Sequence, residues 1–539
     1  MTAATLSRQH FEAPASVVRG WWTMTIVLLR TNWVRIVGSI ALVGLIVIAV
    51  GQGISDLFAT AAQRQAYAML AEGSPTFAVF NGKAYDLTGL GGITVVRVGF
   101  IGMILFPLLA AALAVSLTRT QEDAGRLELF TAYKVSRLAP LLSATVILTA
   151  TTVAIGAVVW AGLSAIGLPT AGSLRYGAAI TALMLAFGFL GLLAGQLATN
   201  SHSALGLSLA AVGVSFLVRA VIDGSRWDAP WATPLSWFEE TRPYGDTQSW
   251  PYLALLGFAA AALVASFALA RRRDLGAGLI TPRPGPATVN GTAGPFWLAL
   301  RLTRTTWLGW LIGTAVWGLA MGWASDQTRQ FLQDNPALAQ AFGSTDPTKS
   351  FLAIASALTV LLAIVPALQS ATRLASEEQS GRLGVLCSGS YSRPTWWATL
   401  TLMPLAQTSI ILLGGATALA TGCTVASGQP SDFGTAFGAC LAQLPAVIFT
   451  GTVAFLLTAI HPRLPLLAWA LLAWEAVVAL LADTLQLDDW ARNLSPLHLS
   501  GQLPVDAPNS TALILLGIAS AALFAASLTV FIHRSLKAG

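Results

Sequence analysis

Apolar runs of roughly 18–25 residues recur from one end of this chain to the other, and each is long enough to cross a hydrocarbon layer about 30 Å thick. Inside lipid every backbone N–H and C=O must find a partner within the protein, which leaves helices or a closed barrel. A barrel would show short alternating segments, and these are absent. Only 10% of the 539 residues are charged and 55% are apolar, whereas soluble proteins carry about a quarter charged residues. The expected fold is an all-α polytopic membrane protein.

Hydropathy places about twelve spans. In the first half they lie near 36–56, 92–118, 139–166, 177–199, 204–223 and 251–270. The second half gives 305–325, 350–371, 396–422, 433–459, 464–484 and 511–533. An even number puts both termini on one side. On that side fall twenty of the thirty Lys and Arg but only seven of the twenty-four Asp and Glu. The positive-inside bias makes it the cytoplasmic side of a cell membrane. The first apolar run, after Arg19, Arg30 and Arg35, continues past signal-peptide length and lacks a small-residue cleavage site, so no cleavable leader is expected.

Two of the polar stretches between spans match. Glu122-Asp-Ala-Gly125-Arg126-Leu127 with Ser136-Arg137 aligns without a gap to Glu378-Gln-Ser-Gly381-Arg382-Leu383 with Ser392-Arg393. Arg30-Thr-Asn-Trp33 likewise resembles Arg304-Thr-Thr-Trp307, and Pro234-Leu-Ser resembles Pro496-Leu-His. The order of these matches predicts two fused six-span pseudo-repeats over 1–273 and 295–539. The Pro- and Gly-rich stretch 274–294 is the expected cytoplasmic linker. Six spans per half relate the copies by an axis along the membrane normal.

In each copy a Glu precedes an Arg by four residues, Glu122 to Arg126 and Glu378 to Arg382. On a helix such a pair shares one face. The glycine before each Arg allows close approach of another surface. Leu127, Leu129, Leu383 and Val385 add an apolar edge. The expectation is a short amphipathic cytoplasmic helix that docks into a partner's groove; a solvated loop with supporting ion pairs is the plainer alternative.

Glu-x-x-Gly-Arg-x-x-(Leu/Val) followed by Ser-Arg, after the second span of a six-span unit, resembles the coupling-helix region of type-2 ABC exporter permeases. Two such units in one chain resemble the actinobacterial polyketide-antibiotic exporter permeases of the tetronasin type. That resemblance implies an N-terminal interfacial helix, cytoplasmic coupling helices and an outer re-entrant segment before each last span. It also implies two copies of a separate nucleotide-binding ATPase that carries ATP and Mg, and export of antibiotics or other amphipathic compounds. The coupling residues would be Glu122, Asp123, Arg126, Arg137, Glu377, Glu378, Arg382 and Arg393. Gly384 stands where the first copy has Glu128, so the halves need not couple equally.

No phosphate loop is present: Asn81-Gly-Lys83 lacks the glycine framework. The five His are scattered, without a catalytic or metal constellation. The chain is therefore expected to be no enzyme, to hold no cofactor and to bind no nucleic acid. Of three cysteines, Cys423 and Cys440 are expected to pack as apolar groups.

Val17–Arg35 mixes Trp21, Trp22 and Trp33 with Arg19, Arg30 and Arg35, a composition suited to the headgroup layer. Trp227, Trp231 and Trp237 in one outer loop and Trp490 in its counterpart are outer-gate candidates, or else an aromatic belt. Arg97, Arg219 and Glu475 interrupt apolar runs and are candidates for an intramembrane substrate path. Arg219 and Glu475 lie in the fifth spans of opposite halves and are candidates to pair; snorkelling of Arg97 and Arg219 to the outer interface is the competing expectation. An ion-gradient-driven secondary transporter is the alternative function. It would want several mid-membrane acids, and Glu475 is the one found.

Overall fold

The computed structural model describes residues 19–73, 75–127, 135–224, 227–273, 278, 294–334 and 347–535. Every regular element among them is helical. They fall into two compact units, Met1–Glu72 with Phe77–Gly285 and Gly73–Thr76 with Pro286–Gly539. The linker expected over 274–294 lies outside the described residues except at 278 and 294.

In the first unit the long helices are α1 (Trp21–Leu57), α4 (Leu90–Leu117), α6 (Ala139–Ala165), α7 (Thr170–Leu197), α8 (Ser201–Gly224) and α10 (Trp250–Arg272). Short helices α2 (Ala61–Gly73), α3 (Pro75–Asn81) and α9 (Pro234–Glu239) lie between spans, and α5 (Arg119–Asp123) prolongs the second. The second unit repeats the plan with α11 (Pro295–Asp334), α12 (Pro347–Gln379), α13 (Arg382–Cys387), α14 (Arg393–Ser427), α15 (Ser431–Leu441), α16 (Leu444–Ile460) and α17 (Pro465–Leu481). It closes with α18 (Asp489–Arg492), α19 (Pro496–Leu499) and α20 (Ser510–His533). Among the described residues eleven helical segments, with α15 and α16 together making one, are long and apolar enough to cross a membrane, and α17, with 17 residues, is a shorter apolar helix. Together they occupy the twelve expected spans.

The packing pairs recur. In the first unit α1 lies on α4 and α6, α4 on α7 and α8, and α7 on α8 and α10. In the second, α11 lies on α12 and α14, α12 on α16 and α17, and α16 on α17 and α20. Duplication is thus legible in three dimensions as well as in the matched motifs. One difference has a local cause. Where α7 is continuous, its counterpart breaks between α15 and α16, just before Pro445, whose ring removes a backbone donor.

Small residues set the closest contacts. A Cβ added at Gly191 would sit 2.9 Å from the Ala111 backbone, and one at Gly322 would sit 2.2 Å from the Leu419 carbonyl. Without a hydrophobic drive between helices in lipid, such close backbone packing supplies the attraction. Hydroxyls within spans bond back to carbonyls one turn earlier, as Thr151 does to Ile147 and Thr401 to Trp397, so they need no external partner. Cys423 and Cys440 are buried and unbridged.

The Trp- and Arg-rich N-terminal stretch is no separate interfacial helix. From Trp21 it is the first part of α1, which runs unbroken for 37 residues. Phe296–Trp310 similarly opens the 40-residue α11. No proline or glycine pair interrupts either stretch, so nothing in the sequence stops the helix there.

Candidate functional site

The two matched elements are built on the ends of second spans. In the first unit α4 stops at Leu117, turns at Thr118 and continues as the single turn α5. This places Glu122 against two guanidinium groups. Arg119, one turn earlier, meets it at 2.7 Å, and Arg273 meets it at 2.5 Å. Arg273 is the residue that caps the C-terminus of α10, the last span of the unit. Its carbonyl, in turn, accepts a hydrogen bond from Arg137 at 2.6 Å.

In the second unit α12 carries Glu377 and Glu378 within its last turn. Glu378 accepts from Arg534 at 2.7 Å, and Arg534 caps the C-terminus of α20, the last span of this unit. The Arg534 carbonyl accepts from Arg393 at 3.3 Å. Both caps adopt the same extended backbone, φ −93° and ψ 139° at Arg273, φ −81° and ψ 141° at Arg534. A helix C-terminus offers unpaired carbonyls and a partial negative charge, and arginine suits both. Each glutamate is nearly buried, with 8% and 2% of its side chain exposed. We call each Glu–Arg–Arg set a clasp.

Both elements also reach the turn between the fourth and fifth spans. Arg119 donates to the Thr199 carbonyl, and Asp123 accepts the Ser201 N–H at 2.6 Å where α8 begins. A carboxylate there satisfies an open helical donor and suits the dipole. In the second unit Gln379 donates to the Pro462 carbonyl at 3.0 Å.

The expected i,i+4 pairs do not form. Arg126 donates to Gln121 instead, and Arg382 pairs with Glu377 at 2.5 Å. The reason is the glycine. Gly125 and Gly381 have φ +67° and +76°, so each ends the preceding helix with a left-handed turn. Glutamate and arginine then lie on different segments. Within this chain a Cβ at Gly125 would meet nothing within 4 Å, so the left-handed backbone and not internal packing is what calls for glycine there. Leu127 and Leu383 are buried inside their own units, whereas Val385 is 74% exposed. Leu129 lies outside the described residues. Arg126 in the first element and Arg382, Val385 and Arg393 in the second are exposed.

Sequence reading missed the two partner arginines. Neither Arg273 nor Arg534 lies in the matched stretches. The available signal was positional, because both follow directly on the last span of their half.

At the opposite end of the first unit, Arg219 is fully buried rather than snorkelled to the interface. It pairs with Glu239 at 2.8 Å and Asp223 at 3.5 Å, and donates to the Val79 carbonyl at 2.6 Å. One guanidinium thus joins α3, α8 and α9. Burial pushes the Glu239 carboxyl above its ordinary range, and the nearby Asp223 carboxylate adds to the shift. Beside it Glu240 accepts from Tyr85 at 2.7 Å and Arg242 at 2.5 Å. Burial would raise Glu240, but these hydrogen bonds and the charges of Arg242 and Lys83 hold it below its ordinary value. Arg97 lies over the Tyr67 ring, 5.8 Å from its centroid. Trp237 donates to the Trp231 carbonyl, while Trp227, Trp231 and Trp490 are more than half exposed.

Glu475 is 1% exposed on α17 and accepts from Thr450 at 2.6 Å. Arg219 and Glu475 thus each find a partner within their own unit. Among the described residues no group of three or more His, Cys, Asp or Glu is placed to hold a metal ion.

Residues 293–531 match the family model described as the C-terminal domain of the multidrug efflux system permease Rv1217c. Over 447 residues the chain is 32% identical to the multidrug efflux system permease protein Rv1217c of Mycobacterium tuberculosis (strain ATCC 25618 / H37Rv), with 80% of each chain covered. The chain belongs to the Rv1217c permease family. The family model spans nearly all of the second unit of this Rv1217c-type chain, including Glu378 and Arg393 of its clasp. Because the match covers 80% of the chain, the relationship extends into the first unit.

Proposed function

We propose that this chain is the membrane permease subunit of an ATP-driven exporter, working with two copies of a separate ATPase. Membership of an efflux permease family supports outward transport as the activity. Antibiotics and other amphipathic compounds are the proposed cargo, consistent with spans that offer apolar walls and few fixed charges. In this reading the matched elements face the cytoplasm and receive the ATPase.

The observation that carries the coupling part is the repeated clasp. Two elements, one per unit, are held by buried ion pairs while Arg126, Arg382, Val385 and Arg393 are exposed. A docking surface of this kind needs a rigid base and exposed basic and apolar side chains. ATP and Mg would reside on the partner, and the chain itself would carry no hydrolytic step.

Co-expression with a phosphate-loop ATPase, to be sought in the adjacent reading frames, tests the reading. Co-purification, and ATP-dependent cargo accumulation in inverted vesicles, are the expected results. Uphill export by proteoliposomes containing this chain alone, driven by a proton gradient, would assign it instead to ion-driven transport, with Glu475 as the buried acid involved.

A further inference from the structure

Each clasp fastens three segments at one point. The glutamate ends the second span, the carbonyl-seeking arginine (Arg137 or Arg393) begins the third, and the capping arginine (Arg273 or Arg534) ends the sixth. The element is further tied to the turn between spans four and five through Asp123 in one unit and Gln379 in the other. Side chain and main chain of the capping arginine are both engaged, the guanidinium by a carboxylate and the carbonyl by a second guanidinium. Displacement of the element therefore displaces the end of the last span with it. A contact made only through exposed side chains would slip, whereas a nearly buried ion pair resists separation.

Two copies that agree at only six of nineteen positions around the element both keep this arrangement. A simple staple for stability could differ between the copies, since each unit has its own packing. We propose that Arg273 and Arg534 are positioning residues for energy coupling, carrying force from each cytoplasmic element to the last span of the same unit. The inference rests on the exporter reading above. It places the output of each element in the sixth span, through residues that touch neither ATPase nor cargo.

The test uses the full chain reconstituted with its ATPase and reads cargo moved per ATP hydrolysed. Arg273→Gln, Arg534→Gln and Glu378→Gln are expected to lower that ratio at least tenfold while the complex still co-purifies. Arg273→Lys and Arg534→Lys, which keep the charge, should retain most of it. A stability role alone predicts instead that melting temperature falls and the ratio of the surviving complex stays at the wild-type value. Should the single-charge variants fail to accumulate, Arg137→Gln, which the docking surface above does not use, carries the test. It removes the part-buried hydrogen bond to the Arg273 carbonyl and should also lower the ratio. A wild-type chain that recruits no ATPase overturns the exporter reading and this inference together. Wild-type ratios in the clasp variants of a coupled complex overturn the clasp inference alone.

Discussion

Arg273 meets Glu122 at 2.5 Å, and Arg534 stands to Glu378 in the same relation at 2.7 Å. In both, the glutamate closes a second span and the arginine closes the last span of that unit. The repeat that first showed itself as a string of matching letters is therefore a repeated ion pair. It is made with a residue that lies outside the matched string.

The outward face of the second element should bind the ATPase. Val385→Asp and Arg382→Glu change side chains that are 74% and 65% exposed, so folding should be unaffected. Affinity for the ATPase, measured by co-purification over a salt series, should fall at least tenfold. Unchanged affinity in both variants would move the docking surface elsewhere.

Gly125 and Gly381 should tolerate asparagine better than alanine. A side chain in the left-handed region costs about 1–2 kcal/mol, and asparagine relieves part of this by local hydrogen bonding. Space is not the obstacle at Gly125, where an added Cβ meets no atom within 4 Å. Thermal melts of the two Gly125 variants check the order, and equal loss in both would reject the backbone explanation.

Removing Arg219 should be costly in a way that a second change repairs. Arg219→Leu leaves the Glu239 and Asp223 carboxyls together in a buried site, and breaking such a cluster costs about 3–5 kcal/mol. Adding Glu239→Gln and Asp223→Asn should recover much of the loss. If the triple variant melts no higher than Arg219→Leu, the ion cluster is not what holds α3, α8 and α9 together.

Opposite pH responses are expected from adjacent glutamates in this polar layer. Glu239 is raised above 4.5 by burial and by Asp223, against the pull of Arg219. The folded chain then keeps a proton that the unfolded chain releases, so its contribution is full at low pH and declines as pH rises through the raised value. Glu240 is lowered, because Tyr85, Arg242 and Lys83 outweigh its burial. Its contribution is present above pH 4.5 and is lost as pH falls through the lowered value. Melting temperature should therefore pass through a maximum, with Glu239→Gln flattening the alkaline limb and Glu240→Gln the acid limb. Identical profiles for both variants would contradict the assignment.

Glu475→Gln should raise stability and lower transport. An acid deep in a span costs about 2.5–3.5 kcal/mol on insertion scales, and Thr450 supplies only one hydrogen bond. Melting and efflux assays on the same preparation separate the two effects, and full efflux would remove Glu475 from the substrate path.

Much of this protein was written in its sequence. Apolar length determined the helices and their number, because lipid leaves the backbone no other way to satisfy its polar groups. The matched letters around Gly125 and Gly381 determined that there are two copies, since local motifs survive insertion elsewhere. Tertiary structure alone decided who pairs with whom. Glu122 sits four residues from Arg126, yet a left-handed glycine turns that arginine away and brings in Arg273 from the far end of the unit. Arg219 looked like a snorkelling residue from its place near a span end, but α3 and α9 fold over it. Periodicity reports which residues share a helix face, whereas partners brought together by the packing of distant spans leave no mark on local spacing.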